Sequence, residues 1–198
     1  MTFQSRSQAQ QDLFVWNILQ NKTDGLFLDI GSHDPVYINN TYELEQKKGW
    51  RGYLFDIDRK WAAPTAARRA SPFVCADLTT FDWTSFIHSK GISGKRFDYM
   101  SFDIDRASLL AVRRFPFNEI SFSVATVEHD SYRFGEAVAT EMREIFGRNG
   151  YDILCKDVKL NGIPYEDWYV HTSLLEQTPE IERFRCEGLE YSEILKKL

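Results

Sequence analysis

The sequence of 198 residues predicts an α/β fold: a doubly wound, mostly parallel seven-stranded sheet with a C-terminal antiparallel hairpin. Five apolar runs, at residues 26–30, 52–58, 72–78, 97–105 and 120–127, alternate with helical segments, the order expected of a parallel sheet. Each run meets acids, Gly or Ser at its end, which lines one edge of the sheet with polar side chains, the edge where ligands bind in such folds. Two further strand-like segments, 151–158 and 165–171, flank Asn161-Gly162 and read as the hairpin, with a loop longer than two residues.

Taken in order, residues 7–20 carry Leu13, Phe14, Trp16, Ile18 and Leu19 among polar residues, an amphipathic helix that lies against the sheet or serves as a lid over the ligand site. In the first strand and its loop, Asp29 is placed to accept from an amino group, and Gly31 lets backbone approach a ligand closely. Only one glycine of the dinucleotide G-x-G-x-x-G pattern is present and no G-K-[ST] follows, so the same loop also reads as a plain turn. A helix over 41–48 stops at Gly49. The second strand ends on Asp56 and Asp58. A carboxylate there matches a ribose cis-diol, two acceptor oxygens to two donors, and Asp56 is the choice; alternatively both acids cap a helix at 61–69 that Pro64 makes irregular.

The third strand leads to Asp77, which accepts from an adenine amino group or caps the helix over 81–89. After the fourth strand a short helix spans 107–114, and the fifth strand ends in Glu128-His129-Asp130. A helical stripe of Val138, Met142, Ile145 and Phe146 ends at Gly150. The tail, 174–198, is charged and helical in pieces, and either serves a partner or covers the sheet.

Length and composition fit one domain, 1–198, with an N-terminal helical segment (1–24) and the tail as its extensions. A net charge of −5 argues against nucleic acid or an anionic membrane as partner, both of which need a positive field, and favours a small-molecule or glycan substrate. Cys75, Cys155 and Cys186 form no C-x-x-C pair and read as buried thiols in a reducing compartment. With a polar N-terminus and no long apolar run, the expected location is the cytoplasm.

Alternating strands and helices followed by a reversed hairpin resemble the Rossmann-like class I S-adenosylmethionine-dependent methyltransferases. More closely, the chain resembles FkbM-type methyltransferases. The likeness lies in Ser7-Gln8 with Gln11-Asp12, Phe27-Leu28-Asp29-Ile30-Gly31-Ser32, Asn39-Asn40-Thr41 with Leu44-Glu45, and Trp50-Arg51-Gly52. It continues in the run from Asp98 to Asp105, in Glu128-His129, and in Glu166-Asp167-Trp168. This resemblance implies S-adenosylmethionine as cofactor, held by Asp29, Gly31, Ser32, Asp56, Ile57, Asp77, Leu78 and Asp103. Asp29 and Gly31 would line the methionine end, Asp56 the ribose and Asp77 the adenine. It also implies O-methylation of a hydroxyl on a saccharide or a small natural-product-like metabolite. The chain departs from the family where an acid-Gly-small-acid run is usual after strand four: here it reads Asp105-Arg106-Ala107-Ser108. Asp56 also replaces the usual Glu.

Methyl transfer to an alcohol is an in-line displacement that needs the oxygen aligned and its proton taken. His129 is the candidate base, oriented by Glu128 or Asp130; with Glu128 and Asp105 it makes up the catalytic set. The other reading of His129 is a strand-end histidine bonded to backbone. Asp103, Asp105, Glu128 and Asp130 also form a candidate Mg²⁺ or Mn²⁺ site beside His129, resembling the metal site of catechol-type methyltransferases; otherwise they meet solvent, Arg106 or Arg133. Trp168, Tyr169 and Tyr132 form either an acceptor wall or core. His33 sits near the transferred methyl or faces water. Two alternatives remain: an NAD-type enzyme, against which His33 and Val36 stand where glycines are needed, and a noncatalytic methyltransferase-like subunit, favoured by Arg106 and Ser108.

Overall fold

The computed structural model describes residues 3–198. Helix α1 (Gln11–Ile18) precedes β1 (Leu26–Ile30), then α2 (Tyr42–Lys48), β2 (Arg51–Asp56), α3 (Ala62–Arg68), β3 (Phe73–Cys75), α4 (Trp83–Lys90), β4 (Arg96–Phe102), α5 (Ser108–Arg114) and β5 (Ser121–Glu128). A single turn α6 (Ser131–Phe134) and the longer α7 (Glu136–Arg148) lead to β6 (Tyr151–Leu160) and β7 (Ile163–His171). The tail supplies α8 (Thr172–Gln177), β8 (Cys186–Glu187) and α9 (Tyr191–Leu195).

The sheet runs β3-β2-β1-β4-β5-β7-β6-β8, parallel from β3 to β5 and antiparallel at β5·β7 and β7·β6. The seven predicted strands are present, and the count rises to eight because β8 pairs parallel with β6 through Cys155↔Cys186 and Lys156↔Glu187. The chain leaves β3 at one edge and returns beside β1 as β4. The direction of winding therefore reverses between β1 and β4, which opens a crevice at their carboxyl ends.

Period-2 alternation divides the core between the two faces. Leu28, Met100 and Ala125 belong to a cluster with Phe86, Val112 and Phe146 from α4, α5 and α7. Phe27, Tyr99, Val124 and Trp168 belong to the opposite cluster with Phe14, Val15 and Ile18 from α1, Leu44 from α2, and Ile181, Phe184 and Ile194 from the tail. Helix α1 therefore lies against the sheet and is no lid, and the tail covers that same face. Trp168 and Tyr169 are core and not an acceptor wall, whereas Tyr132 is exposed.

The hairpin loop is shorter than predicted: Leu160 pairs with Ile163 across Asn161 (φ 54°) and Gly162 (φ 82°). Two central residues at positive φ make a two-residue turn whose twist suits the strands, the conformation that Asn-Gly favours. Strands β3 and β4 end earlier than their apolar runs, since Asp77, Asp103 and Asp105 belong to the loops beyond. No helix among the described residues is long and apolar enough to cross a membrane.

Candidate active site

The turn after β1 forms the floor of the site. Gly31, at φ 84°, and Ser32 both donate their N–H to the Phe55 carbonyl at 2.9 Å, which ties the turn to β2. A Cβ at position 31 would lie 1.5 Å from the Asp103 carbonyl oxygen, so only glycine lets β1 and β4 close on each other here. Above this floor opens a cavity of about 620 Å³ that runs over the tips of β3, β2, β1 and β4. Of the predicted cofactor residues, Gly31, Asp56, Ile57, Asp77, Leu78 and Asp103 line it, with Asp105 at the β4 end.

The two acids at the β2 tip divide their work. Asp58 accepts the Lys60 N–H at 3.0 Å and caps the 3₁₀ turn Arg59–Trp61, and its carboxyl is lowered first by the hydrogen bond of the Lys60 side chain. Asp56 accepts the His33 N–H at 3.0 Å on one oxygen and the Asp58 N–H at 2.7 Å on the other. Each oxygen keeps a second lone pair for a diol. Asp77 accepts the hydroxyl and the N–H of Thr79, at 2.6 and 2.9 Å, which hold its carboxyl below the usual range. It caps no helix, because Asp82 caps α4 by accepting the Ser85 N–H at 3.0 Å. Exposed Ile57 and buried Leu78 supply the apolar surface between these acids, and His33 packs on Trp61 with ring centres 4.4 Å apart.

Asp29 and Ser32 correct the prediction: both are buried and neither lines the large cavity. Asp29 accepts the Thr41 hydroxyl at 2.6 Å, and that hydroxyl accepts from Arg69 at 2.8 Å; burial pushes the Asp29 carboxyl up to about 6. The two residues line a cleft of about 20 Å³ with Gln8, Gln11, Asn39 and Asn40, which joins the large cavity at Gly31, Ile38 and Asp103.

Acids gather at the β4–β5 end. Burial raises the Asp103 and Glu128 carboxyls, and the acids around them raise both further, Asp103 and Asp130 acting on Glu128, and Asp105 and Asp130 on Asp103. Glu128 Oε2 and Asp130 Oδ1 are buried without a hydrogen-bond partner. Arg133 donates to Asp105 at 3.1 Å and to the other Asp130 oxygen at 3.0 Å. Behind them, fully buried Glu166 accepts from Tyr165, Trp168 and Gln11 at 2.6, 2.8 and 3.0 Å, and desolvation still pushes its carboxyl up to about 7.

His129 is not brought to this end. Its ring is buried, its Nδ1 accepts the Ser131 N–H at 3.1 Å, and its Nε2 faces Asp157 and Asp167 at 3.5 and 3.7 Å, behind the hairpin. Arg143 already holds those two carboxylates at 2.6 and 2.8 Å, and desolvation lowers the imidazole below its ordinary value. The strand-end reading therefore describes His129, and the base reading does not.

The predicted divalent-ion set also changes. Asp105, Glu128 and Asp130 bring one oxygen each within 4.8 Å of one another, but Asp103 stands outside the group. Mg²⁺ binds through one or two carboxylates and keeps several waters. Here Arg133 bridges Asp105 and Asp130, and burial raises the Glu128 carboxyl, so a divalent ion would have to displace the guanidinium.

Sequence reasoning gave no site role to Gln8, Gln11, Asn39, Asn40, Trp61 or Glu166. Several stand in the motif segments that carry the resemblance, and that was the available signal. Gln11 and Glu166 lie 155 positions apart and become hydrogen-bond partners only in the fold.

No family model and no curated protein matches the chain. Solved structures do. An rRNA methylase from Streptococcus thermophilus superposes with a TM-score of 0.53 at 10% identity, over 86% of this chain and 99% of that one. A methyltransferase from Pyrococcus furiosus gives 0.51 at 11% identity, over 81% of both chains. The N-methyltransferase NodS from Bradyrhizobium japonicum, in complex with S-adenosyl-L-homocysteine, gives 0.51 at 10% identity over 83% and 88%. All three are described as methyltransferases or methylases, and the chain shares their fold.

Proposed function

We propose that the protein is an S-adenosylmethionine-dependent methyltransferase of the FkbM type that methylates a hydroxyl on a saccharide or other small metabolite. The observation that carries this reading is the single cavity that gathers the Gly31 turn, Asp56 and Asp77 along the strand tips and ends at Asp103 and Asp105 beyond β4. On this reading adenine lies beside Asp77, Ile57 and Leu78, ribose on Asp56, and the methionine end over Gly31 toward Asp103, an assignment supported by the order of these residues along the sheet. Asp29 supports that end from the small cleft. The FkbM assignment is supported by Gln11 bonding to Glu166, and by Thr41 bonding to Asp29, because residues of separate motif segments become partners.

When bound, the cofactor supplies the activated methyl group, and this chain's residues place the acceptor and take its proton. Asp103 lines the cavity and burial raises its carboxyl, which suits it to accept the proton of the hydroxyl as the oxygen–carbon bond forms and the carbon–sulfur bond breaks. The test is transfer of labelled methyl from S-adenosylmethionine into a fractionated host extract. A labelled small product heavier by one methylene supports the reading. Cofactor binding with no labelled product from any fraction counts against an enzyme and favours a noncatalytic subunit.

A further inference from the structure

We propose that Cys155 and Cys186 are a reversible disulfide pair, a redox site that reacts with a small disulfide oxidant and fastens the C-terminal tail to the sheet. It stands apart from the methyl-transfer reading and uses none of the residues assigned to the cavity. Cys155 lies on β6 and Cys186 on β8, and the two are register partners in a parallel pair. Neighbouring strands lie about 4.8 Å apart, inside the range of about 4.4–6.8 Å between Cα atoms that a disulfide spans. Both side chains face the same core: Cys155 belongs to the cluster that holds Trp168, Phe184 and Ile194, and Cys186 packs against it. Contacts on the C-terminal side hold the register. Lys156 donates to the Glu187 carboxylate at 2.7 Å, the Gly188 N–H to the Lys156 carbonyl at 2.9 Å, and the Lys159 N–H to the Leu189 carbonyl at 2.8 Å.

The two thiols differ in the way that exchange with an outside disulfide requires. Cys155 is buried and donates its S–H to the Phe184 carbonyl at 3.7 Å, so its sulfur already points toward the tail. Cys186 is only half-buried and open to a reagent from solvent. Each acts on the other's acidity: Cys155 lowers the Cys186 thiol, helped by Lys197, and Cys186 raises the Cys155 thiol, with burial adding to it. The thiolate is the attacking species, so Cys186 reacts first. Its sulfur bonds to one sulfur of the oxidant, whose S–S bond breaks and releases one thiol. Cys155 then gives up its proton, bonds to the Cys186 sulfur and expels the second thiol. The protein loses two protons and two electrons, and the small disulfide is reduced to two thiols. Cys75 takes no part, being exposed and on β3, at the opposite edge of the sheet from β8. Because β7 and α8 lie between the two cysteines, the bond closes a long loop, the case in which a cross-link constrains the unfolded chain most.

The test is a glutathione redox titration of the full chain, native and in urea, read by intact mass and by peptide mapping after alkylation. The native protein is expected to lose two hydrogens, to yield one peptide linked through Cys155 and Cys186, and to leave Cys75 free to alkylate; dithiothreitol should reverse the link. The oxidation equilibrium should favour the disulfide about a hundredfold more in the folded chain than in urea, and the link should shift the unfolding equilibrium toward the native state by the same factor. Cys75→Ser should behave as the wild type, whereas Cys186→Ser should lose no hydrogens. Free thiols at Cys155 and Cys186 in the oxidised native chain, a lasting glutathione adduct on Cys186 without a link, or a link through Cys75 would each overturn the proposal. So would a pair that oxidises no more readily folded than unfolded.

Discussion

Asp56 and Asp58 stand two positions apart at one strand tip and both line the cavity, but Asp58 caps a helical turn while Asp56 accepts only from the His33 and Asp58 N–H groups. Asp56→Ala is therefore expected to weaken S-adenosylmethionine binding by about 1–3 kcal/mol, read by calorimetry, because a carboxylate holding a diol is a charge-assisted pair. Asp58→Ala should change that affinity little. His129→Ala is expected to keep turnover within a few-fold of wild type, where loss of a base costs about a hundredfold or more. It should instead lower stability by about 2–3 kcal/mol, since it empties a buried site. Glu166 makes a prediction in pH. Its carboxyl rises from 4.5 to about 7 on folding, so the native state binds a proton that the unfolded chain releases. Stability contributed by this group is present below pH 4.5 and is lost as pH climbs to 7, by at most about 3 kcal/mol. Glu166→Gln should flatten that part of the urea-unfolding profile; an unchanged slope would exclude the assignment. At this scale the acids were legible because each follows an apolar run, but their partners were not. Sequence puts His129 beside Glu128, and only the pleat of β5 sends the two side chains to different places.

Elements were legible where periodicity was long. The five parallel strands follow from apolar runs, and α2 from the polar Asn39-Asn40 loop before it and Gly49 after it. Strand β8 was not, because two residues, Cys and Glu, carry no pattern and pair only once the tail has folded over β6. Nor was the placement of α1: a helix with an apolar face suits a lid and a sheet equally, and what decides is the neighbouring surface of Phe27, Leu44 and Trp168. The tight hairpin turn was missed because residues 159–164 look too polar for strands, yet β6 and β7 pair up to Leu160 and Ile163. The element most sensitive to one atom is the β1–β4 junction. Gly31→Ala is expected to cost more than about 3 kcal/mol in urea unfolding, because it adds backbone strain at φ 84° to a contact of 1.5 Å. A variant as stable as wild type would show that β1 and β4 do not close this tightly.

At the scale of the whole molecule, strand order does what no single residue does. It sets β3, β2, β1 and β4 side by side so that residues from positions 31 to 107 meet along one cavity. The sequence showed the acids one by one, and the reversed hairpin suggested the topology. Which acids share a space depended on side-chain direction, and Asp29 turned toward Thr41 and Arg69 instead. The central claim is that this cavity takes an adenosyl sulfonium. The measurement that tests it most directly is calorimetric titration of the wild-type protein and Asp56→Ala with S-adenosylmethionine and, separately, NAD. S-adenosylmethionine is expected to bind in the micromolar range, more weakly to Asp56→Ala, with no binding of NAD. NAD binding in its place, or S-adenosylmethionine affinity unaltered by loss of the Asp56 carboxylate, would contradict it.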